Sequence, residues 1–354
     1  MLTKDRVTLI GAPPSPYTRK MIALLRYRRI PYEIIWGNPS ELLESGGILA
    51  ELDIEPPKPV LLPTFIMKDE RGELKTVTDS TPIIRRLENE YEGRSVIPDD
   101  PALTFLNYLL EDFGDEWVTK YMFHYRWHFK DDIENAGNIL PLLHSVNIDK
   151  KSHKDFKKYI SELQISRLWV VGSNKKTAPI IERSYKRFLS LLDNHFESLP
   201  FLLGDRPSSS DFAFYGQMTQ LLGFDPTSRS LALDLSPRSL AWVDIMEDLS
   251  GLDIKSKNFV AIEKLPKTLF SIFEEISRGY VPAMIANSKA YNNGEEIWKT
   301  NIDDEIWEQK TFPYQAKCLD WIRDEFNNLV ENDKIKVLDF LTETGCEKLL
   351  KDKE

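Results

Sequence analysis

Within residues 1–95, short apolar runs alternate with amphipathic stretches in an order that admits few topologies. Arg6 to Gly11 reads as a buried strand ended by glycine. Pro16 to Arg29 follows with Met21, Leu24, Leu25 and Arg28 at helical spacing. Pro16 suits a first helical turn, where its missing N–H costs nothing. Pro31 to Trp36 is a second strand, and Asn38 to Leu52 a looser helical stretch. The loop Pro56-Pro57-Lys58-Pro59 leads through Leu61-Leu62-Pro63 to a third strand, Thr64 to Met67. Asp69 to Gly72 is a hairpin turn before a fourth strand, Glu73 to Val77. Asp79-Ser80-Thr81-Pro82 then opens a helix to about Tyr91. The order is strand–helix–strand, a connecting helix, then strand–strand–helix, an α/β layout.

Ser15-Pro16-Tyr17-Thr18-Arg19-Lys20 falls at the first strand-to-helix turn. A hydroxyl there sits beside free backbone N–H donors, a geometry that can hold an anion such as a thiolate. The plain alternative is that Ser15 is only a helix cap. Asp79 and Ser80 form a second helix start, which local chemistry alone explains and which is also open to a carboxylate.

Pro98 to Pro101 marks a linker, after which helical patterns dominate. Thr104 to Lys130 reads as one long helix, with Leu106, Leu110, Phe113, Trp117, Tyr121, His124 and His128 recurring every three or four residues. Further helices are expected at Thr177–Leu199, Ser208–Leu222, Arg238–Leu249, Leu265–Arg278 and Tyr314–Val330, with an exposed helix or loop at Lys150–Lys158. Glu295 to Thr311 is ambiguous and admits a small β-ribbon. His124 and His128 lie four apart like a metal pair, but no third ligand is evident, so no zinc site is expected.

A net charge of −10 argues against nucleic acid or an anionic membrane as partner. No apolar run approaches the roughly 20 residues that span a bilayer. The opening MLTKDRVTLIG has no signal-peptide pattern. The two cysteines, Cys318 and Cys346, exclude a disulfide framework and favour a reducing, cytoplasmic setting. Cys318 reads as a buried structural residue, and Cys346 as incidental.

From the first strand to about residue 250 the chain resembles a two-domain glutathione S-transferase. Four features carry the resemblance: the Ser15-Pro16-Tyr17-Thr18 turn, Leu62-Pro63 before the third strand, Asp79-Ser80 at the third helix, and Phe201 to Ala213. The last contains Ser208 and Asp211 as a Ser-x-x-Asp capping pair and is the most specific. The tail stretch Tyr314-Gln315-Ala316-Lys317-Cys318-Leu319-Asp320-Trp321 is similar to that of long bacterial members. The resemblance implies a thioredoxin-like glutathione-binding domain at 1–95, an all-helical domain at 101–260, and a helical extension at 261–354 packed on it. With Ser15 and Thr18 where dithiol members carry cysteines, thiol–disulfide exchange is ruled out.

It further implies that Ser15 stabilises the thiolate of glutathione, and that Tyr17, Leu62, a cis-Pro63, Asp79 and Ser80 bind the tripeptide. An apolar electrophile would sit against Glu116, Lys120, His124 and Trp127. Glutathione is then a co-substrate, no metal is needed, and a cytoplasmic homodimer is the expected assembly. The alternatives are a non-catalytic interaction protein that keeps the fold, with a plugged cleft and a trans Leu62–Pro63 bond, and a glutathione-dependent isomerase or lyase using the same site.

Overall fold

The computed structural model describes residues 6–37 and 47–351. The expectations for Met1–Asp5 and for the start of the Asn38–Leu52 stretch lie outside the described residues. The first unit is β1 (Val7–Gly11), α1 (Pro16–Arg28), β2 (Tyr32–Trp36), the single turn α2 (Ile48–Glu51), β3 (Thr64–Lys68), β4 (Leu74–Val77) and α3 (Ser80–Glu90). The sheet order is β2-β1-β3-β4, with β2 parallel to β1, and β3 antiparallel to both β1 and β4. Side chains alternate across it as a pleated strand requires. Leu9, Phe65 and Met67 join Met21, Leu25, Ile84 and Leu87 in the main core, while Ile10 and Ile66 meet Leu49 and Ile54 in a smaller one.

The remainder is helical: α4 (Pro101–Phe113), α5 (Thr119–His128), α6 (Lys130–His144), α7 (Lys150–Ile165), α8 (Ala178–Ser198), α9 (Ser209–Gly223), α10 (Pro226–Leu235) and α11 (Pro237–Met246). Then come α12 (Lys267–Arg278), α13 (Tyr280–Asn292), the hairpin β5 (Ile297–Ile302) and β6 (Glu305–Lys310), α14 (Pro313–Asn327) and α15 (Glu331–Thr344). This is the thioredoxin-like unit followed by helices and an extra C-terminal set, with the ribbon present at Glu295–Thr311.

The long helix expected at Thr104–Lys130 is not continuous. A π turn at Gly114–Val118 joins α4 to α5, and the chain leaves the helix at Phe129, where φ is −89° and ψ 138°. Helices α6, α10, α13 and α15 had no separate sequence expectation. The capping box forms as expected, Asp211 accepting from Ser208 N at 2.9 Å and from Leu202 N at 2.8 Å. Cys346 is not incidental: it is fully buried, and its Sγ donates to the Phe273 carbonyl at 3.2 Å. Cys318 is buried as expected. No helix among the described residues is long and apolar enough to cross a membrane.

Candidate active site

The corner between β1 and α1 is built by close approach. A Cβ on Gly11 would stand 2.4 Å from Thr18 Cγ2, so only glycine lets the strand end fold over the first turn of α1. Ser15 takes the extended conformation of a cap, and its Oγ accepts from Thr18 N at 3.2 Å. The same hydroxyl points at the Leu62 carbonyl, 3.5 Å away, a long contact that leaves its proton weakly held. The Leu62–Pro63 peptide is cis, as is Lys58–Pro59.

Ser15 is half-buried and opens on a cavity of about 380 Å³. Its walls come from Pro13 to Pro16, Trp36, Leu62, the Met122, Phe123, Arg126 and Trp127 face of α5, and residues of α6 and α7. The lining is mainly apolar, the character of a small-molecule site of ordinary size. Helix α7 has no fully buried residue, because Phe156, Ile160 and Gln164, one turn apart, form part of this wall. Arg126 is the one permanently charged group in the lining among the described residues. It pairs with the buried Asp225 at 2.9 Å and reaches the Pro14 carbonyl at 3.4 Å, tying α5 to the Ser15 corner. Burial pushes the Asp225 carboxyl up to about 6 against the pull of Arg126.

A second polar centre lies where α3 begins. Asp79 caps α3 with φ of +79°, a conformation that a non-glycine residue holds only at a cost. Its Oδ1 accepts from Thr81 N at 3.3 Å, and its Oδ2 accepts from the Tyr314 hydroxyl of α14 at 2.9 Å. Ser80 Oγ accepts from Lys20 Nζ at 2.9 Å. Lys20 is fully buried and also pairs with Glu111 at 2.8 Å and Asp115 at 2.6 Å. Burial pulls the Lys20 ammonium down, but Asp115 and Glu111 outweigh it and hold the group above the usual lysine range. Burial raises Asp112, Asp115 and Glu116 to about 7 each, with neighbouring carboxylates adding to the effect.

The sequence-expected residues thus divide. Ser15, Leu62 and Trp127 meet at the cavity; Asp79 and Ser80 sit together at the head of α3. The Tyr17 hydroxyl donates to the Asp115 carbonyl at 2.8 Å, which ties it to the domain interface. Glu116, Lys120 and His124 are buried but are not among the cavity's lining residues. Glu116 and Lys120 instead meet the C-terminal set: Gln315 donates to the Glu116 carbonyl at 3.3 Å, and Lys120 donates to Gln309 at 3.4 Å. Burial lowers the Lys120 ammonium to about 8, with Glu116 opposing, and lowers His124 to about 3, with His128 adding to the effect. Lys20, Arg126 and Tyr314 had no functional expectation. Lys20 and Tyr314 nonetheless lie in stretches that stand out in the sequence, Ser15 to Lys20 and the tail.

Sheet order and the corner between β1 and α1 define a thioredoxin-like domain joined to a helical one. Residues 9–95 match the family described as glutathione S-transferase, N-terminal domain. No curated protein matches the chain. Among solved structures, it is similar to a glutathione S-transferase of Methylobacterium radiotolerans in complex with glutathione sulfonate: 17% identity, TM-score 0.33, covering 67% of this chain and 93% of that one. It is also similar to a glutathione transferase of Pseudomonas putida with glutathione disulfide bound: 14% identity, TM-score 0.40, 72% and 89% covered. A third is a glutathione transferase of Burkholderia graminis with two glutathione molecules per subunit: 18% identity, TM-score 0.41, 69% and 88% covered.

Proposed function

We propose that this protein binds glutathione and conjugates its thiolate to an apolar electrophile. The observation that carries the reading is the half-buried Ser15 hydroxyl at the head of α1, opening on an apolar cavity of about 380 Å³. A free thiol with pKa near 8.5 is only about 3% ionised at pH 7. The Ser15 O–H and the positive end of α1 stabilise the anion and make it the attacking nucleophile. Its sulfur attacks the electrophilic carbon, the leaving group departs with the bonding pair, and the thiol proton passes to solvent. Holding both reactants in one recess removes most of the entropic barrier.

In this reading Leu62 and Pro63 bear on the tripeptide's extended backbone. The Ser80 N–H at the head of α3 takes the γ-glutamyl carboxylate, and Asp79 faces the ammonium. Tyr17 packs the corner against the helical domain. The second substrate rests on Met122, Phe123 and Trp127. A cytoplasmic two-fold dimer belongs to the same reading, and sedimentation measures it. The open recess beside Ser15 weighs against an interaction protein with a filled cleft.

The test is glutathione binding by calorimetry, with conjugation of a chromogenic aryl halide by wild type and Ser15→Ala. Raising the bound thiol's pKa by about two units costs roughly twentyfold in rate near pH 7. The loss should shrink above pH 9, where the thiol ionises unaided. Absence of binding at millimolar glutathione would end the proposal. An unchanged rate in Ser15→Ala would remove Ser15 from it.

A further inference from the structure

Helix α5 carries two different surfaces. Met122, Phe123, Arg126 and Trp127 face the cavity beside Ser15, while His124 and His128 sit elsewhere on the helix, toward α8. The sequence offers this histidine pair no third partner. The fold supplies one, Glu182 on α8, with its Oε1 3.8 Å from His124 Nε2. One donor atom from each of the three residues lies within 4.8 Å of the others.

We infer that His124, His128 and Glu182 form a binding site for a divalent first-row transition metal, with Zn²⁺ the ion their donor set suits. Two imidazoles and a carboxylate are a recurrent zinc set, with the remaining position left to water. His124 carries the argument furthest. Its side chain is 0% exposed, yet its Nε2 has no hydrogen-bond partner. A buried ring nitrogen without a partner is costly and needs a reason. Ser173 Oγ lies 2.8 Å from the opposite nitrogen, Nδ1. With Nδ1–H donating to Ser173, Nε2 keeps its lone pair directed at Glu182, as outer hydrogen bonds orient metal-bound imidazoles.

The 3.8 Å between Nε2 and Glu182 is too long for a hydrogen bond. It is close to the separation, on the order of 3.4 Å, of two ligands on a tetrahedral ion with bonds of about 2.0–2.1 Å. The two outer ligands have room to close in: His128 is exposed and Glu182 half-buried, so each adjusts by side-chain torsions. A cavity lined by Tyr125, Phe129, Asp131 and Lys186 opens beside Glu182, and His128 itself is exposed. Occupied, the site would clamp the end of α5 to α8, behind the wall of the cavity on the opposite side of the helix. It does not depend on glutathione chemistry.

The experiment titrates Zn²⁺ into the chelator-treated full chain against a chromophoric chelator, with Co²⁺ absorption as a geometric readout. One ion per chain should bind, with the visible bands of four-coordinate Co²⁺. His128→Gln and Glu182→Gln should each weaken Zn²⁺ at least tenfold, since even outer-sphere partners are worth 10–100-fold. Both positions are accessible, so the variants should keep the wild-type circular dichroism. Failure to take up Zn²⁺ at 100 μM overturns the inference. So does uptake that both variants leave unchanged, which would locate the ion elsewhere.

Discussion

At the scale of single residues, the chain is legible where partners are close in sequence and opaque where they are far. Ser15 caps a helix three residues away, and Ser208 with Asp211 caps another, so sequence spacing shows both. Lys20 reads as one more polar helix residue, because Glu111 and Asp115 lie 91 and 95 positions away. Arg126 is hidden for the same reason, its partner Asp225 being 99 positions away. Removing Lys20 should be severe, since it leaves Glu111 and Asp115 as uncompensated buried acids. Lys20→Met is expected to cost about 3–5 kcal/mol by urea unfolding. A variant as stable as wild type would show that the cluster is not held by charge.

Elements matter most at the π turn, Gly114–Val118. One extra residue in the ladder rotates every later side chain by about 100° relative to an unbroken helix. The resemblance implies Glu116, Lys120 and His124 beside Trp127 at a second-substrate pocket, whereas the folded chain presents Met122, Phe123, Arg126 and Trp127 to the cavity. Nothing local in Gly114-Asp115-Glu116-Trp117-Val118 announces the π turn, though a Cβ on Gly114 would stand 2.8 Å from Phe214 Cδ1, so α9 leaves no room for one there. The turn and its flanks gather Asp112, Asp115 and Glu116 in the interior, each raised to about 7 with burial the largest cause. Between their unfolded values near 4 and about 7, the folded state binds more protons than the unfolded one. Stability should then fall as pH rises through that window, which melting curves from pH 4.5 to 8 would measure. Asp112→Asn should flatten the fall, since an amide oxygen still accepts from Tyr280 and carries no charge. Melting independent of pH would contradict the burial assignment.

Over the whole molecule, the C-terminal set is part of the core rather than an appendage. Trp307 of β6 lies 5.5 Å from Trp117, and Phe273, Ile276 and Leu349 belong to the same continuous cluster as Leu9. Sequence showed these helices as amphipathic segments but gave no sign that Tyr314 would reach Asp79, 235 positions earlier. A chain ending at Val260 should fail to fold, losing its cooperative melting transition and exposing apolar surface to a hydrophobic dye. A truncated chain that melted like the full protein would make the extension a dispensable module. One contact fixes how closely α1 and α9 approach. A Cβ on Gly216 would stand 2.4 Å from the Pro16 carbonyl oxygen, so α9 presses backbone-close on the first turn of α1. That side of the cleft is a fixed jaw. The facing wall is the α6–α7 hairpin, which lines the cavity through Leu140, Leu143, Phe156 and Ile160.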